Sequence, residues 1–310
     1  MGDCTLSSPL EPLPLTGPGQ IHIKRDDLIH PQWGGNKWRK LKYHLEAYRT
    51  GSFNRMISYG GIHSNHLYAL AALCHEESIP LTARIRGHPP VPLTPTIQAL
   101  MQWKVNIECL GNVEYRQEKH QFSIQGSTLV IPEGGSDELA IRGIRELATE
   151  IRQSLPDVSQ VFVPVGSGGT LAGLVGGFGP KIRITGIVPM KAPTLGEDLS
   201  RRFPILSERS NWHLLHDYHL GGFGKYHPEI LRVMVDWQAK YGIPLDPVYT
   251  AKMALAMEDL LQQGQFDQAD QVVLIHTGGL QGTEGFFNAY RHRINPATAR
   301  KNDRGFRKMH

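Results

Sequence analysis

A lysine on a glycine turn and a glycine-rich loop far downstream are the two features of this sequence that suggest chemistry. Lys37 closes the turn Gly34-Gly35-Asn36-Lys37 and offers an amine there. Gly166-Ser167-Gly168-Gly169-Thr170 follows the apolar run Val161-Phe162-Val163-Pro164-Val165 and precedes a helix-like stretch. Small residues in such a loop let the backbone approach a ligand, and amides at a helix start point at an anion. An amine together with a phosphate cradle predicts pyridoxal phosphate, held as a Schiff base at one end and by its phosphate at the other.

A lysine is ordinarily a solvated surface charge. Lys37 is distinguished by the turn before it and the helix pattern after it. The positive end of a helix disfavours a further positive charge and helps keep the amine neutral and nucleophilic. Lys40 and Lys42 have no glycine turn before them and read as ordinary positions of the same helix. Ser64 follows Gly60-Gly61-Ile62-His63 and reads as a helix cap. The amides it leaves exposed also suit a ligand carboxylate. Asn65 beside it carries an amide for a phenolate oxygen. Tyr249 stands at a loop-to-helix boundary, where a tyrosine more often packs than reacts. Thr277, in His276-Thr277-Gly278-Gly279, offers a hydroxyl to a ring nitrogen at a strand end. His63 and His66 share a helical spacing but find no third or fourth ligand, so no metal site is expected.

The elements that must position these groups alternate in type. Short β-branched runs at 21–23, 55–59, 81–85, 105–110, 128–131, 160–165, 182–188 and 271–276 read as strands. Helical patterns occupy 37–49, 64–74, 95–103, 137–152, 170–176, 228–241, 250–262 and 279–290. Alternation of this kind predicts an α/β protein with parallel sheets. The strands suffice for two sheets, hence two α/β lobes with a cleft between them. No Pro- or Gly-rich linker separates the halves, so one lobe is expected to be nested in the other. Glycine turns after strands at Gly60, Gly166 and Gly278 are expected to wall one site, because ligands of such sheets bind beyond the strands' carboxyl ends.

Composition narrows the remaining classes. The 310 residues carry a formal net charge of only +4. Basic residues cluster from Arg291 to Lys308, which reads as a solvated tail rather than a nucleic-acid surface. Cys4, Cys74 and Cys109 show no CxxC or secreted spacing, so a reducing, cytoplasmic setting is expected. Residues 1–18 lack the apolar core of a signal peptide, and no run reaches membrane-spanning length. No membrane or nucleic-acid partner is expected.

Taken together, the motifs resemble those of the 1-aminocyclopropane-1-carboxylate (ACC) deaminase/D-cysteine desulfhydrase family of fold-type-II, tryptophan-synthase-β-like enzymes. The matching segments are Lys24-Arg25-Asp26-Asp27, Gly34-Gly35-Asn36-Lys37, Gly60-Gly61-Ile62-His63-Ser64-Asn65-His66, Pro132-Glu133-Gly134-Gly135-Ser136, the loop from Gly166 to Thr170, Tyr249-Thr250-Ala251-Lys252 and His276-Thr277-Gly278-Gly279. The resemblance implies a large domain from residues 1–40 and 145–310, with a small α/β domain of residues 41–144 nested in it. It implies that Lys37 binds the cofactor and serves as a base. Asn65 would meet the ring oxygen, and Gly166, Ser167, Gly168, Gly169 and Thr170 the phosphate. Ser64 and Tyr249 would face the substrate, and Thr277 the pyridine nitrogen. A homodimer acting on a small amino acid is implied as well. ACC deaminases carry a glutamate after the tyrosine and a leucine before the last glycine pair; this chain has Thr250 and Thr277. A neutral hydroxyl holds a ring proton less well than a carboxylate does. The resemblance therefore implies a lyase that eliminates a β-thiolate, with D-cysteine first. ACC deamination, or a non-catalytic cofactor- or amino-acid-binding role, are the alternatives. Two departures are noted: Trp38 is expected to narrow the pocket, and Ala251 replaces a frequent glycine.

Overall fold

The computed structural model describes residues 6–120 and 122–293; the basic segment beyond Arg293, and Cys4, lie outside them. In chain order the strands are β1 (Leu10–Pro12), β2 (Gln20–Lys24), β3 (Arg55–Gly60), β4 (Leu81–Arg86), β5 (Asn106–Leu110), β6 (Ser123–Gln125), β7 (Thr128–Ile131), β8 (Gln160–Pro164), β9 (Arg183–Ile187), β10 (Trp212–Leu215) and β11 (Gln271–Ile275). The helices are α1 (Asn36–Thr50), α2 (Asn65–Glu76), α3 (Pro95–Gln102), α4 (Asn112–Glu118), α5 (Glu138–Ser154), α6 (Gly169–Phe178), α7 (Leu195–Arg202), α8 (Pro204–Glu208), α9 (Pro228–Tyr241), α10 (Thr250–Gln262) and α11 (Thr283–Tyr290).

Two sheets form. One has the order β1-β2-β11-β8-β9-β10, the other β5-β4-β3-β7-β6. All pairings are parallel except β1 with β2 and β6 with β7, which are antiparallel edges. Strands buried on both faces read as continuous apolar runs. Accordingly every residue of β8 and β7 is buried. The first sheet takes strands from both ends of the chain and its middle, whereas the second uses only residues 55–131.

The sequence reading missed β1, β6, β10, α4, α7 and α8. Each is short, and β6 and β10 lie at sheet edges, where half-exposed residues weaken the pattern.

Three faces of α1 do different work. Trp38, Leu41 and Leu45, spaced i, i+3 and i+7, enter the core of the second sheet. Lys37 and Lys40 share another face. Arg39 turns the opposite way, into a buried ion network. Its guanidinium donates to Asp26 at 2.7 and 2.9 Å and to Glu150 at 2.7 and 2.8 Å. Lys24 pairs with the same Glu150 at 2.8 Å. Helix α5 packs Ile141, Ile144, Leu147 and Ile151, each at most 2% exposed, against the first sheet's core. Asp137 caps it by accepting from the Ala140 amide at 3.0 Å.

Helices α1 and α5 cross at Gly143, where a Cβ would lie 1.8 Å from the Arg39 carbonyl oxygen. Gly143→Ala must therefore push apart the two helices that link the sheets. Denaturant unfolding is expected to show a loss of at least ~2 kcal/mol; an unchanged midpoint would contradict this packing.

Candidate active site

The carboxyl ends of both sheets open onto one cavity of about 890 Å³, the upper part of the range for small-molecule sites. Lys37, Ser64, Asn65, Gly166, Ser167, Gly168, Thr170, Tyr249 and Thr277 all line it. Gly169 alone among the expected residues lies beneath the wall, where a Cβ would meet Ser136 Oγ at 2.8 Å.

Lys37 is the second residue of α1. The turn before it needs glycine: Gly35 has φ +75°, and a Cβ there would sit 2.3 Å from the Thr277 carbonyl oxygen. The amine donates to Asn36 Oδ1 at 2.7 Å, and Asn36 Nδ2 donates to Thr170 Oγ1 at 2.9 Å. A short relay thus ties the amine to the glycine loop. Burial lowers the Lys37 pKa to about 8, against an opposing pull from the Asp246 carboxylate.

The loop from Gly166 to Thr170 opens α6 with Gly168 in the left-handed region at φ +85° and no side chain capping the helix. Its first amides are left for a ligand. Beneath it lies Lys40, 2% exposed. The Lys40 ammonium donates to the Gly134 carbonyl, to Ser136 Oγ at 2.8 Å and to Ser167 Oγ at 3.4 Å, all neutral acceptors. Burial, then the charges of Lys37 and Arg202, push its pKa well down. Arg202, from α7, donates to the Ser167 carbonyl at 2.6 Å. Lys40 is thus no ordinary helix position, which corrects the sequence reading; Lys42, as expected, stands apart and pairs with Glu146. Cations gathered around uncapped amides, with no carboxylate among their hydrogen-bond acceptors, form the donor set a phosphate requires.

Ser64 caps α2 by accepting from the Leu67 amide at 3.2 Å. Asn65 Oδ1 accepts from Gln281 Nε2 at 2.8 Å, which orients its NH₂ as the remaining donor. A Cβ on Gly279 would lie 2.6 Å from that nitrogen. Tyr249 sits edge-on to Phe223, with ring centroids 5.7 Å apart. Burial, then the Asp246 and Glu133 carboxylates, raise its pKa and keep the phenol protonated.

Two further expectations change. Trp38 does not narrow the cavity; it is 5% exposed and packs on Trp33 at 4.8 Å in the core. Thr250 is fully buried and spends its hydroxyl on Asp246 Oδ1 at 2.8 Å. Asp246, 2% exposed, also accepts from the amides of Val248, Tyr249 and Thr250. A carboxylate therefore stands close to this end of the site despite the missing glutamate. Sequence reasoning missed Asn36, Lys40, Ser136, Arg202 and Asp246 as site residues. The i,i+3 spacing from Lys37 was the available signal for Lys40; Arg202 gave none, because only the fold carries α7 to the loop. Among the described residues no group of His, Cys, Asp and Glu is arranged to hold a metal, and no helix is long and apolar enough to cross a membrane.

Comparison with known proteins gives the family. The family model described as "Pyridoxal-phosphate dependent enzyme" matches residues 5–278, and the chain belongs to that family. It is 30% identical to a D-cysteine desulfhydrase of Salmonella paratyphi A over 305 residues, covering 88% of this chain and 91% of that one. It is 29% identical to a putative ACC deaminase of Pyrococcus abyssi over 282 residues, covering 84% and 85%. The crystal structure of an ACC deaminase homologue superposes with a TM-score of 0.75 at 27% identity, covering 89% and 90%. Threonine deaminase isoform 2 of Solanum lycopersicum shares the fold, with a TM-score of 0.66 at 18% identity, covering 92% and 87%.

The Lys37 amine is expected to titrate near its lowered value of about 8 in cofactor-free protein. It would be mostly neutral by ~pH 9, where an exposed lysine is still charged. NMR titration of ¹³C-methylated lysines, with Lys37→Arg to assign the signal, checks this; a midpoint above ~10 would remove the desolvated amine.

Proposed function

We propose that this pyridoxal-phosphate dependent enzyme is a lyase for small amino acids and that D-cysteine is its substrate, split with water into pyruvate, sulfide and ammonia. The observation that carries the reading is one cavity in which a desolvated lysine amine, a cation-backed glycine loop and an amide-presenting helix start face one another. The donor set fits the cofactor at each end: Lys37 for its carbonyl carbon, Lys40, Arg202 and the 166–170 loop for its phosphate. When bound, pyridoxal phosphate supplies an electron-poor ring that accepts the electron pair of the substrate's α-carbon.

The chain's own residues would do the rest. Lys37, neutral above about pH 8, would take the proton from the α-carbon. The start of α2 at Ser64 and Asn65 would bind the substrate carboxylate through helix amides, with the Asn65 NH₂ left for the ring oxygen. Thr277 would offer its hydroxyl to the ring nitrogen. Tyr249, held protonated by burial and two carboxylates, would face the departing group as a hydrogen-bond donor. Support for thiolate elimination comes from Thr277 at a position where ACC deaminases have leucine, and from the similarity to the Salmonella enzyme. ACC deamination is the second reading. It is favoured by Asp246, a buried carboxylate near this end of the site, and by the similarity to the Pyrococcus protein.

Holoenzyme given D-cysteine is expected to release sulfide and pyruvate in equal amounts, with no 2-oxobutyrate from ACC. The reverse pattern would establish the second reading. Lys37→Ala should lower turnover by ~10²–10⁴-fold or more, the contribution of a general base; near-wild-type turnover would end the assignment of Lys37.

A further inference from the structure

Lys252 is a buried cation that none of the proposed chemistry uses. It is the third residue of α10 and has no exposed surface. Its ammonium donates to the carbonyl oxygens of Pro189 at 2.8 Å, His219 at 2.9 Å and Gly222 at 2.9 Å. An ammonium has three donors, and all three are used. None of these partners is charged. Asp246, the carboxylate that acts on it, is itself occupied by the amides of α10's first turn and lowers the cost of burial only in part. A small cation inside a ring of backbone carbonyls is the arrangement by which proteins hold monovalent metal ions; here the chain supplies the cation itself.

The carbonyls come from places that matter to the cavity. Pro189 precedes Met190, and Gly222 precedes Phe223; both following side chains line the wall. The segment 217–224 is otherwise held by Tyr218, which donates to Asp259 at 2.6 Å and packs with Leu220 on the core, and by Tyr290, which donates to the Gly224 carbonyl at 3.0 Å. Leu220, Gly221, Gly222 and Gly224 have φ values of +47°, +89°, +130° and +62°, and Phe223 is 47% exposed. Phe223 nonetheless stands edge-on to Tyr249, three residues before Lys252.

We propose that Lys252 is a positioning residue whose ammonium serves as a built-in monovalent cation, gathering three carbonyls so that Phe223 stands against Tyr249 and Met190 keeps its place in the wall, which together set the width of the substrate cavity. The inference rests on the functional reading above for the word substrate; the anchoring itself does not.

The test uses the holoenzymes of wild type, Lys252→Met, Phe223→Ala and the double variant. Backbone hydrogen exchange over 217–224 reads the anchor without any turnover. Titration of D-cysteine, and in parallel ACC, against the cofactor's visible absorbance reads the cavity. Lys252→Met is expected to speed exchange in 217–224 by about tenfold or more while β8 and β11 keep their protection. It should weaken amino-acid binding by about tenfold, and the double variant should bind no worse than Phe223→Ala, because the two residues act through one contact. Unchanged exchange in 217–224, or losses that multiply in the double variant, would overturn the proposal. If Lys252→Met does not fold, Lys252→Ala in propylammonium replaces it. Saturable slowing of exchange by propylammonium but not by tetramethylammonium, which cannot donate a hydrogen bond, supports the anchor; equal behaviour in both salts overturns it. Should neither amino acid shift the absorbance of wild-type enzyme, the functional reading fails while the exchange result still decides the anchor.

Discussion

The buried bidentate grip of Arg39 on Asp26 is the constraint from which the site follows. Both groups are almost fully withdrawn from water, at 2% and 0% exposure. Charges in that position persist only when paired and hydrogen-bonded, and removing one partner strands the other. Asp26 also accepts the Gly35 amide through its backbone oxygen at 2.7 Å. One residue therefore fixes the glycine turn before α1 and the rotation of α1 about its axis. With Arg39 turned into the ion network and Trp38 and Leu41 into the neighbouring core, Lys37 and Lys40 have one face left, and it looks into the cavity.

That arrangement places two lysines of one helix in different chemical situations. Lys37 keeps one hydrogen bond, to the adjacent Asn36, and an amine near its deprotonation point at about pH 8. Lys40 donates to three oxygens and lies under the glycine loop. Desolvation disfavours the charged form of both; the Asp137 carboxylate offsets the cost for Lys40 in part, and an anion above the loop would offset more. The charge of Lys37 in turn disfavours charge on Lys40, so the two lysines are coupled through electrostatics.

The opposite wall shows the same economy of parts. Asp246 organises the first turn of α10, and the turn presents Tyr249 to the cavity, Thr250 to Asp246 and Lys252 to the carbonyl ring. Thr250 acts here by fastening a carboxylate rather than by facing the ligand. A difference read as one of ring electronics is, in this chain, first a difference in how a helix start is built.

Much of this was readable from the chain alone, because the signals are local. Glycines 34, 35 and 168 mark backbone where a Cβ would lie within 2.3 Å of a neighbour, and alternating apolar runs mark strands and helices within a residue or two for α9 and α10. Nine of the ten expected site residues line the cavity, and seven of them (Ser64, Asn65, Gly166, Ser167, Gly168, Thr170 and Thr277) share a reason: they follow the carboxyl ends of parallel strands β3, β8 and β11. What the chain alone could not show were relations between distant segments. Lys40 reads as a surface lysine until Gly134, Ser136 and Ser167 close over it. Trp38 reads as a pocket wall until Trp33 claims it. Arg202 and Lys252 gain their parts only from partners tens of residues away. Local sequence determines which backbone conformations are allowed and which residues must leave water; only packing decides which charges meet, because burial energy and hydrogen-bond geometry depend on neighbours that spacing does not specify.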